Sequence, residues 1–73
     1  MSIQQRLTRT GTITEFDEPV GLGVLAEPDG AAHGFHCTAI ADGSRDIAVG
    51  ADVTFRLVPG RAGRREAVDI RPR

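Results

Sequence analysis

Glycine and proline recur so often along this chain that no convincing long helix fits between them. The intervening stretches run roughly 5 to 9 residues, which is the spacing of a small all-β domain. Thr8 to Phe16 reads as a first strand, with Thr10, Thr12 and Thr14 alternating with Gly11 and Ile13. Strict alternation would turn Glu15 inward, where a charge is costly, so a β-bulge or bend is expected near Thr14 to Phe16. Asp17-Glu18-Pro19-Val20-Gly21 reads as a loop, because Pro19 cannot donate to a ladder and Gly21 accepts unusual backbone angles. A second strand, Leu22 to Glu27, should pair as a hairpin with a third near His33 to Thr38 through the turn Glu27-Pro28-Asp29-Gly30.

Ala39 to Gly50 is the longest connection and is broken by Asp42-Gly43-Ser44. Beyond it, Ala51 to Val58 alternates cleanly, with Val53, Phe55 and Leu57 on one face. Pro59 to Gly63 makes a turn, and Ala67 to Arg71 a last strand with Val68 and Ile70 inward. Ile13, Leu25 and Ile40 join Val53, Phe55, Leu57, Val68 and Ile70 as expected core. Five strands in one small domain predict an all-β fold, a five-stranded antiparallel barrel of the oligonucleotide-binding (OB) type, whose closure removes exposed edges.

A chain of 73 residues holds one domain with a thin margin of buried surface, and we do not expect an enzyme. The acids are scattered, and no Ser or Cys has a His partner placed by a catalytic motif. Cys37 is the sole cysteine, which excludes an internal disulfide and suits a reducing compartment. The start, Met1-Ser2-Ile3-Gln4-Gln5-Arg6, offers no apolar run for a signal peptide, and no later segment approaches a membrane span, so the expected location is the cytoplasm. His33, His36 and Cys37 are metal-ligating types close in sequence. Adjacent residues of a strand point to opposite faces, however, and no second cluster supplies further ligands, so no metal or other cofactor is expected.

Charge is divided along the chain. Residues 1–55 carry −5 and residues 56–73 carry +4, so attraction for phosphate has to come mainly from the C-terminal third. All nine basic residues are Arg, which reflects a GC-rich coding sequence rather than a binding adaptation. Aromatic residues are limited to Phe16, Phe35 and Phe55.

The order of these elements, and certain residues inside them, resemble the bacterial cold-shock domain over about Thr10 to Ile70. Gly11-Thr12-Ile13-Thr14-Glu15-Phe16-Asp17 stands where the family has Gly-x-Val-Lys-Trp-Phe-Asn. Val20-Gly21-Leu22-Gly23-Val24-Leu25 stands for Lys-Gly-Phe-Gly-Phe-Ile, and the segment from His33 to Ile40 for Val-Phe-Val-His-Phe-Ser-Ala-Ile. Gly50, Val53, Phe55 and the turn from Gly60 to Gly63 match the fourth strand and its turn. The alignment needs one residue fewer before His33 and one more near Glu66. The resemblance implies a cold-shock-like domain over residues 10–71 after an N-terminal segment, residues 1–9. It also implies an outer face on which bases of a single strand stack while basic groups follow the phosphates.

Carried onto this chain, the family's Trp position is Glu15. Its Phe positions become Leu22, Val24, Gly34 and Cys37, and the aromatic of the long loop becomes Ser44. Phe16 and His36 keep the family's residues. One stacked base is worth roughly 1–3 kcal/mol, so these losses remove most of the usual grip. Two Lys positions become Thr14 and Val20, and Glu15, Asp17 and Glu18 add negative charge beside the path. Arg45, Arg61, Arg64 and Arg65 lie where the family often carries basic loop residues; arginine pairs with phosphate and stacks on bases, although solvated turn charges are as natural a reading. Phe35, opposite in parity to His36, is expected in the core.

The reading implied is a protein that binds single-stranded RNA or DNA weakly and with little sequence preference, through Phe16, Leu22, Val24, His36, Arg45, Arg61 and Arg64. The alternative is a fold that has lost this activity and offers Phe16, Leu22, Val24 and Cys37 to a protein partner or to a second copy of itself.

Overall fold

The threonine-rich first segment forms β1, Arg9–Asp17, and the hairpin predicted after it forms β2, Leu22–Ala26, and β3, Ala32–His36. In this computed structural model, which describes residues 8–60 and 63–73, β3 runs into a single 3-10 turn, Cys37–Ala39. β4, Asp52–Pro59, and β5, Arg65–Pro72, complete the barrel. The strands close in the order β1-β2-β3-β5-β4. Both ends of the β2–β3 turn are tied by backbone bonds, Glu27 N–H to Ala31 C=O and Gly30 N–H to Glu27 C=O.

The five-stranded OB-type barrel expected from the sequence is the fold, with one seam of different sense. β1–β2, β2–β3, β1–β4 and β4–β5 are antiparallel, but β3 and β5 meet in parallel at Gly34 and Glu66, and again beyond the strand at Ile40 and Ile70. A ring of five strands cannot alternate direction all the way round, so closure forces one parallel contact.

Two irregularities set which residues face inward. In β1 the register steps from Ile13 opposite Leu25 to Glu15 opposite Val24, leaving Thr14 as an extra residue whose hydroxyl donates to Val24 C=O at 3.2 Å. This is the bulge predicted there, and it keeps Glu15 exposed while Ile13 is buried. In β5 the register passes from Arg71 opposite Thr54 to Val68 opposite Arg56, three residues against two, and Asp69 takes a left-handed φ of 54°. Asp tolerates that region better than most residues. The shift places Ala67 and Ile70 in the core and leaves Val68 half-buried, which corrects the alternation expected from the sequence.

The buried core is Ile13, Leu25, Phe35, Ile40, Val53, Phe55, Ala67 and Ile70, with Phe16, Ala39, Ile47, Ala51 and Leu57 packed at its margin. Phe16, Gly23 and Phe35 lie side by side across three strands. The two rings stack at 6.0 Å between centroids and 5° between planes. The bare Cα of Gly23 makes room for them, since a Cβ there would meet Phe35 Cε1 at 2.7 Å and the Glu15 carbonyl at 2.9 Å.

At the other end of the hairpin, Glu27 ties three elements together. Its Oε1 accepts from Arg9 Nη1 of β1 at 2.9 Å, and its Oε2 accepts from His33 Nε2 of β3 at 2.6 Å. The His33 bond, aided by Arg9 and opposed by partial burial, holds the Glu27 carboxyl below its ordinary pKa of 4.5.

Two outcomes follow from this packing. Gly23→Ala should lower unfolding free energy by about 1–3 kcal/mol in urea titration, because the wall has no space for the methyl group. Glu27→Gln should cost about 1–2 kcal/mol near neutrality by loss of charge-assisted bonds. The lowered folded-state pKa means the unfolded chain takes up the Glu27 proton first as acid is added. The Glu27 contribution is therefore complete above its ordinary value and is lost as pH falls through the lowered one. Wild type and variant should converge in stability as the pH falls below the ordinary carboxylate range, and a constant gap across the acid range would contradict the assignment.

Candidate nucleic-acid interface

Because side chains alternate across the barrel wall, the register that places Phe16, Gly23 and Phe35 on the inner side places their neighbours outside. Asp17, Leu22 and His36 form one outward row across β1, β2 and β3. Glu15, Val24, Gly34 and Glu66 form the next, across β1, β2, β3 and β5. Leu22 is 52% exposed, Val24 is half-buried, and His36 is exposed. A shallow depression of about 700 Å³ runs over Leu22, Val24, Gly34, His36 and Glu66, floored by Gly23 and Phe35. It adjoins a smaller hollow of about 280 Å³ lined by Glu15, Phe16, Asp17, Leu22, Gly23 and Val24.

The structure thus brings Leu22, Val24 and His36 together on one surface. Phe16 lies across β1 from that surface, on the core side at its margin, with its ring committed to Phe35. Leu22 makes no demand on the core. It stands exposed beside the shallow depression.

His36 is held in place by the chain itself. Its Nδ1 accepts the Thr38 backbone N–H at 3.3 Å and lies 3.0 Å from Thr38 Oγ1, capping the 3-10 turn. With Nδ1 used as acceptor, the neutral ring carries its proton on Nε2, which remains available as a donor. The cap also ends β3 two residues before the predicted boundary. Cys37 is therefore outside the strand, its Sγ 3.9 Å from His36 Nδ1, and its N–H donates to the Gly21 carbonyl at 2.8 Å. The opposite-face argument against a metal site does not apply to that pair. Among the described residues, no three of His, Cys, Asp and Glu are grouped to hold a metal ion.

The basic residues divide into committed and uncommitted groups. Arg9 is paired with Glu27, and Arg56 and Arg71 with Asp69. Arg45, Arg64, Arg65 and Arg73 are exposed and take part in no ion pair among the described residues. Arg45 sits at φ 61° in the long connection, beside a turn in which Asp42 accepts the Ser44 N–H at 2.8 Å and Ser44 Oγ donates to Asp46 C=O at 2.9 Å. The Ser44 backbone N–H, and after it the Ser44 hydroxyl, hold the Asp42 carboxyl below its ordinary pKa. Arg64 lies in the β4–β5 turn, where its carbonyl accepts the Gly60 N–H at 2.6 Å, and Arg65 begins β5. Arg61 lies outside the described residues.

Sequence reasoning missed Glu66 as part of this face. Its position depends on the parallel β3–β5 contact and on the length of the β4–β5 turn, neither of which is readable from periodicity. Glu15 and Asp17 on β1 and Glu66 on β5 therefore flank the apolar strip on its two sides.

No family model matches the chain, and no curated protein matches it. Among solved structures, it is similar to the CSD456 segment of Drosophila Unr, with 30% identity, a TM-score of 0.74 and 90% of this chain covered. The chain spans 26% of the length of that structure. Its fold is thus cold-shock-like, a five-stranded closed β-barrel of the OB type.

Proposed function

We propose that this chain binds single-stranded nucleic acid, RNA or DNA, weakly and with little base preference. Bases lie against Leu22, Val24 and His36, and phosphates are met by Arg45, Arg64 and Arg65. The observation that carries this reading is the outward apolar strip of β2 and β3, beside an imidazole fixed by its own turn, on a barrel of cold-shock-like fold. Every base has a flat apolar face, so such a strip selects little by sequence. Aliphatic groups give less contact than rings, which accounts for weak binding. Phe16 lines the adjoining hollow at its edge, with its ring stacked on Phe35.

The carboxylates around the strip favour a second reading, a protein-interaction module without nucleic-acid binding. The self-association form of that reading suits the structure less well. Two such faces brought together would set Glu15, Asp17 and Glu66 of one copy against those of the other.

A chemical-shift titration with an unstructured oligonucleotide at low salt separates the readings. Shifts at Leu22, Val24, His36, Arg45 and Arg64 are expected, and no response there would sink the nucleic-acid reading. Restoring rings at the two aliphatic positions should strengthen binding: Leu22→Phe with Val24→Phe should tighten the complex at least about tenfold. Unchanged affinity in the folded double variant would show that bases do not lie on this strip.

A further inference from the structure

Three carboxylates border an apolar strip that is open to solvent, and none of the three has a cation to pair with among the described residues. Register fixes their places. Glu15 is directly across from Val24, Asp17 from Leu22, and Glu66 from Gly34. Glu15 comes outward through the Thr14 bulge. The Glu66 side chain lies over Gly60, where a Cβ would meet Glu66 Cγ at 2.6 Å and its carboxylate Oε2 at 2.9 Å, so this carboxylate stands beside the β4–β5 turn. A polyanion laid across β1, β2 and β3 thus meets negative charge carried at the β1 margin and again on β5. The uncommitted arginines lie off the strip, in the long connection, in and just beyond the β4–β5 turn, and after β5.

We infer that Glu15, Asp17 and Glu66 are specificity-determining residues that act by repulsion. They keep phosphates off both margins of the strip, so that a bound strand touches it through its bases and places its backbone at the ends of the strip. The inference rests on the nucleic-acid reading above and sharpens it. The weak grip then has two separable causes, the loss of rings and a carboxylate border, and the second can be removed without altering the contact surface. Like charges separated by one interstrand spacing at the surface of a protein repel measurably at low salt and much less once the Debye length falls below that spacing.

The test compares wild type with the near-isosteric triple variant Glu15→Gln, Asp17→Asn, Glu66→Gln, using fluorescence anisotropy with a labelled oligothymidylate at low and high salt. A second triple variant, Asp29→Asn, Asp46→Asn, Asp52→Asn, carries the same change in net charge away from the strip. The border variant should bind about tenfold tighter than wild type at low salt, with the gain shrinking at high salt, and the remote variant should gain much less. An equal gain in both triple variants would reduce the effect to net charge and overturn the inference. Binding by wild type with no gain in the border variant would overturn it while leaving the proposed function standing. Failure of all three proteins to bind would overturn both. Binding by the border variant alone would uphold the carboxylate role and remove the claim that wild type binds.

Discussion

The packing of two phenylalanine rings over Gly23 fixes the barrel wall. Phe16 of β1 and Phe35 of β3 flank that glycine on either side, and their stacked rings occupy the space that a side chain on β2 would need. Strand side chains repeat with a period of two, so sliding β1 by a single residue would expose the Phe16 ring and turn Glu15 or Asp17 inward, and sliding β3 would expose the Phe35 ring. The Glu27 clip with Arg9 and His33 secures the same three-strand wall at its other end. Between these two fastenings the register of β1, β2 and β3 has little freedom.

The outer face follows from that register. With Gly23 turned inward, Leu22 and Val24 must turn outward; with Phe16 inward, Glu15 and Asp17 must turn outward beside them. The apolar strip and its acidic border are therefore products of the same packing. The two features impose opposite demands on a polyanionic ligand. Apolar contact with bases is short-ranged and insensitive to salt, whereas repulsion from the border is longer-ranged and screened. On the proposed function, uncommitted arginines at the loops offer phosphate contacts outside the border, and a bound strand meets the strip with its bases.

Much of the fold was legible from the sequence because its signals are local. The clean alternation of Val53, Phe55 and Leu57 marked β4, the Pro28-Asp29-Gly30 turn marked the hairpin, and the cost of an inward Glu15 marked the bulge at Thr14. What stayed hidden depends on contacts distant in sequence. The Asp69 bulge that moves Ala67 into the core and Val68 out of it is a left-handed residue without glycine. The cap that ends β3 is a histidine side chain acting on the backbone two residues on, a role more familiar from Ser, Thr, Asn and Asp. Glu66 reaches the face through a parallel seam demanded by closing an odd ring. Of the candidate site, the grouping of Leu22, Val24 and His36 was legible from strand parity and the family resemblance, and the inward commitment of the Phe16 ring was not.

The salt dependence of oligonucleotide binding tests the central claim most directly, because it counts the phosphates a bound strand gives up to the protein. Each phosphate contact on a single strand contributes about 0.7 to the slope of log affinity against log salt. A strand held by its bases with phosphates met only at the uncommitted arginines should give a shallow slope of about 1–2 in magnitude, with residual affinity at high salt. A slope of about 4 or more would mean that phosphates are gripped along the whole face and would contradict the account. Complete absence of binding at low salt would contradict it as well.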